Sequence, residues 1–257
     1  MKSAIALTFH RINPVPVVSH SPMDPAMVRY AISRGVFQQT VNMLPPKRCC
    51  TVSEYVDKQE GDWLIVTFDD GSISDFEIGF PGLKDKGIKA TFFVTVENIG
   101  LSGYMTITHL REMAESGMEI GSHGLTHQYL ITMTRNEAIR EIRESKDRLE
   151  QATGTKVVSF APVGGHYKKW MEKCAYEAGY RAFATMIPGR TSGGEDLLRL
   201  KRNHIQSHHD IDYMSRLIDG HYRTMAINRL RYHVLRIPKT VLGLKNYDVV
   251  KKYLCEF

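Results

Sequence analysis

Residues 63–94 read WLIVTFDDGSISDFEIGFPGLKDKGIKATFFV. Trp63–Phe68 is an apolar run of strand length, Phe76–Lys86 follows with a helical pattern, and Ala90–Val94 is a second apolar run. Together they predict a β-α-β unit, and the rest of the chain repeats the alternation. Further strands are expected near Ala4–Phe9, Glu119–Ser122, Val157–Ala161 and Tyr180–Thr185, with helices near Val36–Leu44, His109–Ser116 and Lys168–Ala178. The clearest helix runs from Arg135 to Ala152. Thr134 and Glu137 make a T-x-x-E capping box ahead of it, and Gly154 follows its end. Repeated β-α units around a mainly parallel sheet, with no internal repeat or long linker, predict an α/β fold: a single, distorted (β/α) barrel.

Composition agrees with one globular unit. Of the 257 residues, 42% are hydrophobic and 24% charged, enough for a sizeable core. The net charge of +6 comes entirely from the residues after Gly220. There Arg223, Arg229, Arg231, Arg236, Lys239, Lys245, Lys251 and Lys252 face only Asp248 and Glu256. A solvated helical face is the plain reading of such a run. The sharper one is contact with an anionic glycan, a lipid phosphate or a membrane surface, hence a peripheral membrane contact. Nucleic acid is not an expected partner, because no recognition motif accompanies the charge. Cys49, Cys50, Cys174 and Cys255 form neither a disulfide framework nor a C-x-x-C zinc pair. The apolar run before His10 is too short for a signal peptide, so the sequence as it stands predicts a cytoplasmic protein, although a form with a longer leader would read the same way.

In parallel α/β folds chemistry gathers where strands end. Asp69 and Asp70 end one strand and are followed by Gly71, while Ser122-His123-Gly124-Leu125-Thr126-His127 ends another. Neighbouring carboxylates on extended chain point different ways and so can take different roles. An ordinary Asp-Gly turn fits the first segment equally well. The imidazoles at i and i+4 share a face if the segment makes a helical turn, but such pairs also occur as plain polar pairs. Asp70, His123 and His127 together offer two nitrogens and one oxygen, a three-ligand set that leaves room for water and substrate.

TFDDG and SHGLTH, with KATFFV between them and SKDRLEQATG after, resemble the NodB-homology domain of the polysaccharide deacetylases, carbohydrate esterase family 4, over about Leu7 to Gly220. The resemblance implies a barrel domain over 1–220, leaving 221–257 as a basic, helical C-terminal extension packed on it. It implies metal-dependent hydrolysis of the N-acetyl group of an amino sugar in an N-acetylated glycan. Asp69 would be the catalytic base, and Asp70, His123 and His127 would hold one divalent metal, with zinc the first choice and cobalt, nickel or manganese also suited.

Phe160-Ala161-Pro162-Val163-Gly164-Gly165 stands where the family carries Phe-Arg-Pro-Pro-Tyr-Gly. Ala161 therefore replaces the arginine that braces the base, and that charge must come from elsewhere or be absent. The Gly164 backbone N–H is the expected oxyanion donor, and His166 the expected sugar contact. This variant resembles the exopolysaccharide branch, some members of which are circularly permuted. The apolar strand Ala6-Leu7-Thr8-Phe9 ends in His10, and a closed barrel sets its first strand beside its last. His10 is therefore expected as the general acid in preference to His208, whose run RNHIQSHHD reads as loop. Two other readings stay open: a deformylase or deacetylase of a lipid-linked sugar, and a glycan-binding homologue with a degenerate site.

Overall fold

A computed structural model describes residues 1–13, 29–58, 60–193 and 197–234. Its strands are β1 (Lys2–Phe9), β2 (Arg11–Asn13), β3 (Ala31–Ser33), β4 (Gly61–Phe68), β5 (Thr91–Val94), β6 (Glu119–Ser122), β7 (Ser159–Phe160), β8 (Ala182–Ala184), β9 (Arg190–Ser192), β10 (Leu198–Leu200) and β11 (Arg202–His204). The main sheet runs β10-β8-β7-β6-β5-β4-β1-β11, parallel throughout, with β9 antiparallel to β1. β2 and β3 make a separate parallel pair.

The two ends of the main path are consecutive in the chain. β10 pairs with β8, one residue intervenes, and β11 pairs with β1. Residues 198–204 thus bridge the seam, which makes the sheet a nearly closed, distorted barrel as the sequence predicted. β1 lies between β4 and β11, so the first strand does sit beside the last.

Strand alternation sorts side chains into two layers. Ala4 and Ala6 of β1 face inward with Ile65, Phe93, Ala182, Ala184 and Leu200. Ile5, Leu7 and Phe9 face outward onto Phe37, Val66 and Phe68 beneath the helices, where Phe9 and Phe37 meet edge to face at 5.6 Å. Gly121 on β6 is required by this packing, because a Cβ there would come within 2.7 Å of Phe93 and Ser159. The same alternation carries Thr8, then His10, to the inner side at the mouth of the barrel.

The predicted strands and helices are present with end shifts of a few residues. Arg135–Thr153 has the Thr134/Glu137 capping box, and Gly154 closes it in the left-handed conformation (φ 72°). Two readings are corrected. Arg202–His204 is a strand, although its polar run reads as loop: it lines the polar mouth of the barrel and shows no apolar alternation. Residues 123–127 are not a helical turn but a bent segment in which Gly124 (φ 85°) and His127 (φ 59°) are left-handed. Cys49, Cys50 and Cys174 are free thiols. Among the described residues no helix is long and apolar enough to cross a membrane. Residues 222–234 are helical. Met225 of that helix is buried, and Asn228 donates to the Tyr213 hydroxyl at 2.7 Å. The remainder of the basic segment, 235–257, lies outside the described residues.

Candidate active site

Three strand ends converge at the barrel mouth. β4 delivers Asp69, buried, and Asp70, whose left-handed backbone (φ 79°) turns its carboxylate away from that of Asp69. The bent segment after β6 brings both imidazoles onto Asp70: Oδ1 lies 3.4 Å from His123 Nε2 and 2.9 Å from His127 Nε2. Ligand atoms of Asp70, His123 and His127 all lie within 4.8 Å of one another. The sequence grouped these three residues on the condition of a helical turn, whereas the chain brings them together through two left-handed residues, Gly124 and His127.

The surroundings fix this geometry. His123 Nδ1 lies 2.7 Å from the Ala161 carbonyl oxygen. Donation to that carbonyl places the proton on Nδ1 and leaves the Nε2 lone pair facing Asp70, the state a metal-ligating histidine needs. Buried Glu141, on the helix Arg135–Thr153, accepts from the backbone N–H of Leu125 at 2.7 Å and from the Thr126 hydroxyl at 2.7 Å. It pins the segment between the histidines. The donor set therefore fits a divalent cation on a fixed imidazole tautomer and an open side.

Asp69 faces a different neighbour. Arg202, fully buried on β11, donates from Nη1 to Asp69 Oδ1 at 2.5 Å and from Nε to the Thr185 carbonyl at 3.1 Å. Its guanidinium lies 5.2 Å from the centre of the Phe93 ring. Burial alone would push the Asp69 carboxyl up, but Arg202, His123 and His10 outweigh it and bring the group down to about 2. The sequence reading missed Arg202. The signal was available in principle, since β11 alternates Arg202 and His204 on the face that β1 gives to Ala6 and Thr8.

His10 follows β1 into the same centre, with Nε2 4.0 Å from Asp69 Oδ2 and its ring stacked on Tyr30 at 4.6 Å. Burial lowers its pKa, against the pull of Asp70 and Asp69. His208 is exposed and makes its ring contact with His209.

Residues 57–183 match the family model described as polysaccharide deacetylase. That stretch, just under half of the chain, is similar to a polysaccharide deacetylase domain. The chain is 30% identical over 161 residues, covering 62% of this chain and 57% of the other, to YxkH of Bacillus subtilis (strain 168), whose name carries a provisional polysaccharide deacetylase assignment. The chain thus spans little more than half the length of that relative. By structure it is similar to BC0361, a polysaccharide deacetylase from Bacillus cereus, with 24% identity, a TM-score of 0.71, and 84% of this chain and 69% of that one covered. It is also similar to the Streptococcus pyogenes deacetylase PplD, solved in complex with acetate, with 21% identity, a TM-score of 0.71, and coverage of 87% and 98%. These two likenesses speak to the barrel.

Asp69, Asp70, His123 and His127 fall inside the matched part of the deacetylase domain, whereas His10 and Arg202 fall outside it. The loop after β7 departs from the family pattern, and packing accounts for this. At Ala161 the backbone oxygen holds His123 while Arg202 arrives from across the barrel. At Gly164 (φ 62°) a Cβ would come within 2.6 Å of the Tyr129 ring, so Tyr129 fills the space beside the loop. His166 meets that ring edge to face at 5.2 Å. Gly164 and His166 line a cavity of about 1140 Å³ that also reaches His204 and Tyr30.

Proposed function

We propose that the protein removes the N-acetyl group from an amino sugar within a poly- or oligosaccharide by metal-assisted hydrolysis. The observation that carries this reading is the convergence of Asp70, His123 and His127 within 4.8 Å beside a separate, buried carboxylate, Asp69. A mere glycan-binding module has no need of both.

Asp70, His123 and His127 would hold one divalent metal, and His₂Asp chemistry favours zinc. Such an ion supplies carbonyl polarisation and acidifies water, which compensates for the weak basicity of a carboxyl near 2. Asp69 accepts the proton of the attacking water through Oδ2, because Oδ1 is taken by Arg202. Arg202 keeps the carboxylate ionised and oriented. His10, on the same side as Oδ2, protonates the departing amine, which is a poor leaving group otherwise. The Gly164 N–H and the His166 ring contribute on the substrate side, the first as an oxyanion donor and the second as a sugar contact.

The test is acetate release from N-acetylated oligosaccharides by the purified protein, before and after chelation and after metal is restored. The expected result is release that chelation abolishes and divalent metal restores. Release that is indifferent to chelation would overturn the metal assignment, and no release from any N-acetylated glycan would overturn the activity.

A further inference from the structure

The helix 222–234 sorts its side chains into two stripes. Met225, Asn228 and Tyr232 recur at i, i+3 and i+7 and face the barrel: Met225 is buried, and Asn228 donates to the Tyr213 hydroxyl at 2.7 Å. Arg223, Ile227, Leu230 and Val234 recur at i, i+4, i+7 and i+11 on the opposite side. There Ile227 and Leu230 are each 65% exposed and Val234 53%. With Tyr222, this helix carries four of the eight large hydrophobic side chains exposed among the described residues. They form a patch, not the scatter of single residues that a surface normally carries.

The charge on the helix is of one sign. Between Gly220 and Val234 the chain has Arg223, Arg229 and Arg231 and no Asp or Glu. Arg223 stands within the apolar stripe, and exposed Arg231, one turn after Ile227, borders it. The sequence that follows keeps the sign, with Arg236, Lys239, Lys245, Lys251 and Lys252 against Asp248 and Glu256.

This pairing of aliphatic with cationic side chains decides between occupants. A second copy docked on the same face about a two-fold axis would set one arginine-bearing stripe against another, and like charges so placed repel. Residues 235–257 would likewise bring net positive charge onto it. A glycan offers anions but no apolar layer to take Ile227, Leu230 and Val234. An anionic lipid surface meets both needs, with acyl chains around the aliphatic groups and phosphates at the guanidiniums. We infer that the outward face of 222–234 is a peripheral docking surface for an anionic membrane. The helix is about 20 Å long, too short to cross a bilayer, and lies flat in the headgroup region. Arg231 and Tyr232 of the same helix line the cavity that Gly164 and His166 also line, so the lipid surface lies close to it. Lipid docking is independent of the catalytic reading, and its test needs no turnover.

The experiment is flotation of the whole chain with vesicles of phosphatidylcholine alone, and of phosphatidylcholine and phosphatidylglycerol mixed three to one, at low and high salt. Wild type is compared with the double variants Ile227→Gln/Leu230→Gln and Arg223→Gln/Arg231→Gln. Thermal melts check folding, and light scattering without lipid gives the oligomeric state. Wild type should float with the anionic vesicles and not with the neutral ones, and salt should weaken that binding. Loss of the two arginines should weaken partitioning by roughly fivefold each. Loss of the two aliphatic side chains should weaken it about tenfold or more, with the melting temperature unchanged because both are exposed. Failure of wild type to bind, equal binding to neutral vesicles, or undiminished binding in either folded variant overturns the inference. A wild-type dimer that Ile227→Gln/Leu230→Gln turns into monomers assigns the stripe to a second copy and overturns it as well.

Discussion

Arg202 Nη1 lies 2.5 Å from Asp69 Oδ1, with β1 between their strands and a sequence separation of 133. The pair is buried, and it places the positive charge beside Asp69 from β11, not from the loop after β7 where the family pattern carries its arginine.

Replacing Arg202 with Met should leave Asp69 as a buried, uncompensated charge. The expected cost is about 3–5 kcal/mol of stability at neutral pH, read by denaturant unfolding. The sign follows from the depressed carboxyl. With Arg202 present, Asp69 contributes stability above its unfolded pKa of 3.8, and that contribution is lost as pH falls toward about 2. In Arg202→Met the carboxyl titrates higher, so the acid limb of kcat/KM moves to higher pH. An unmoved limb in a folded Arg202→Met protein would remove Arg202 from its place beside the base.

Replacing His127 with Ala removes one of two nitrogens from the Asp70 cluster and should reduce bound metal, measured by elemental analysis after dialysis. Full activity in a metal-free His127→Ala protein would sink the assignment.

His10 and His208 separate cleanly. His10→Ala should lose turnover while keeping metal, because His10 stands 4.0 Å from Asp69 Oδ2 and is not among the three clustered ligands. His208→Ala should retain turnover, its ring lying against His209. Loss of turnover in His208→Ala alone would reverse the choice.

Asp75 makes a prediction about stability. It is fully buried, and among the described residues neither carboxylate oxygen has a hydrogen-bond partner of ordinary geometry, the Ser72 backbone exerting only a minor pull toward the ionised form. Burial, then Asp70, raises its pKa well above 3.8. A group raised in the folded state contributes stability fully below its unfolded pKa and loses it as pH rises through the folded one. Asp75→Asn should therefore melt higher than wild type at neutral pH in metal-free protein, with a gain that grows upward from about pH 4 and then levels off. A lower melting temperature across that range would mean that Asp75 has a partner when ionised.

Much of this was legible in the sequence because it depends on local signals. The run Trp63–Phe68 reads as a strand, Thr134 and Glu137 announce a helix, and Asp69, Asp70, His123 and His127 stand at strand ends where α/β folds keep chemistry. The position of His10 at the barrel mouth was legible because it ends an apolar strand. Arg202 and His204 were not, because β11 is three residues of polar chain whose inward face meets other polar groups, leaving no apolar period to detect. The convergence of the two imidazoles was inferred from helical spacing, whereas left-handed Gly124 and His127 produce it, and nothing local to His127 announces φ 59°. The basic C-terminal residues read as a charge run, and only the docking of 222–234 puts Arg231 at the cavity.

The most direct test of the account is Asp69→Asn, with bound metal and acetate release measured on the same sample. A neutral amide cannot take the proton of the attacking water, and Asp69 is not one of the three clustered ligands. The account predicts metal content equal to wild type and a loss of about 10²–10⁴-fold in kcat. Turnover close to wild type with metal bound would contradict it.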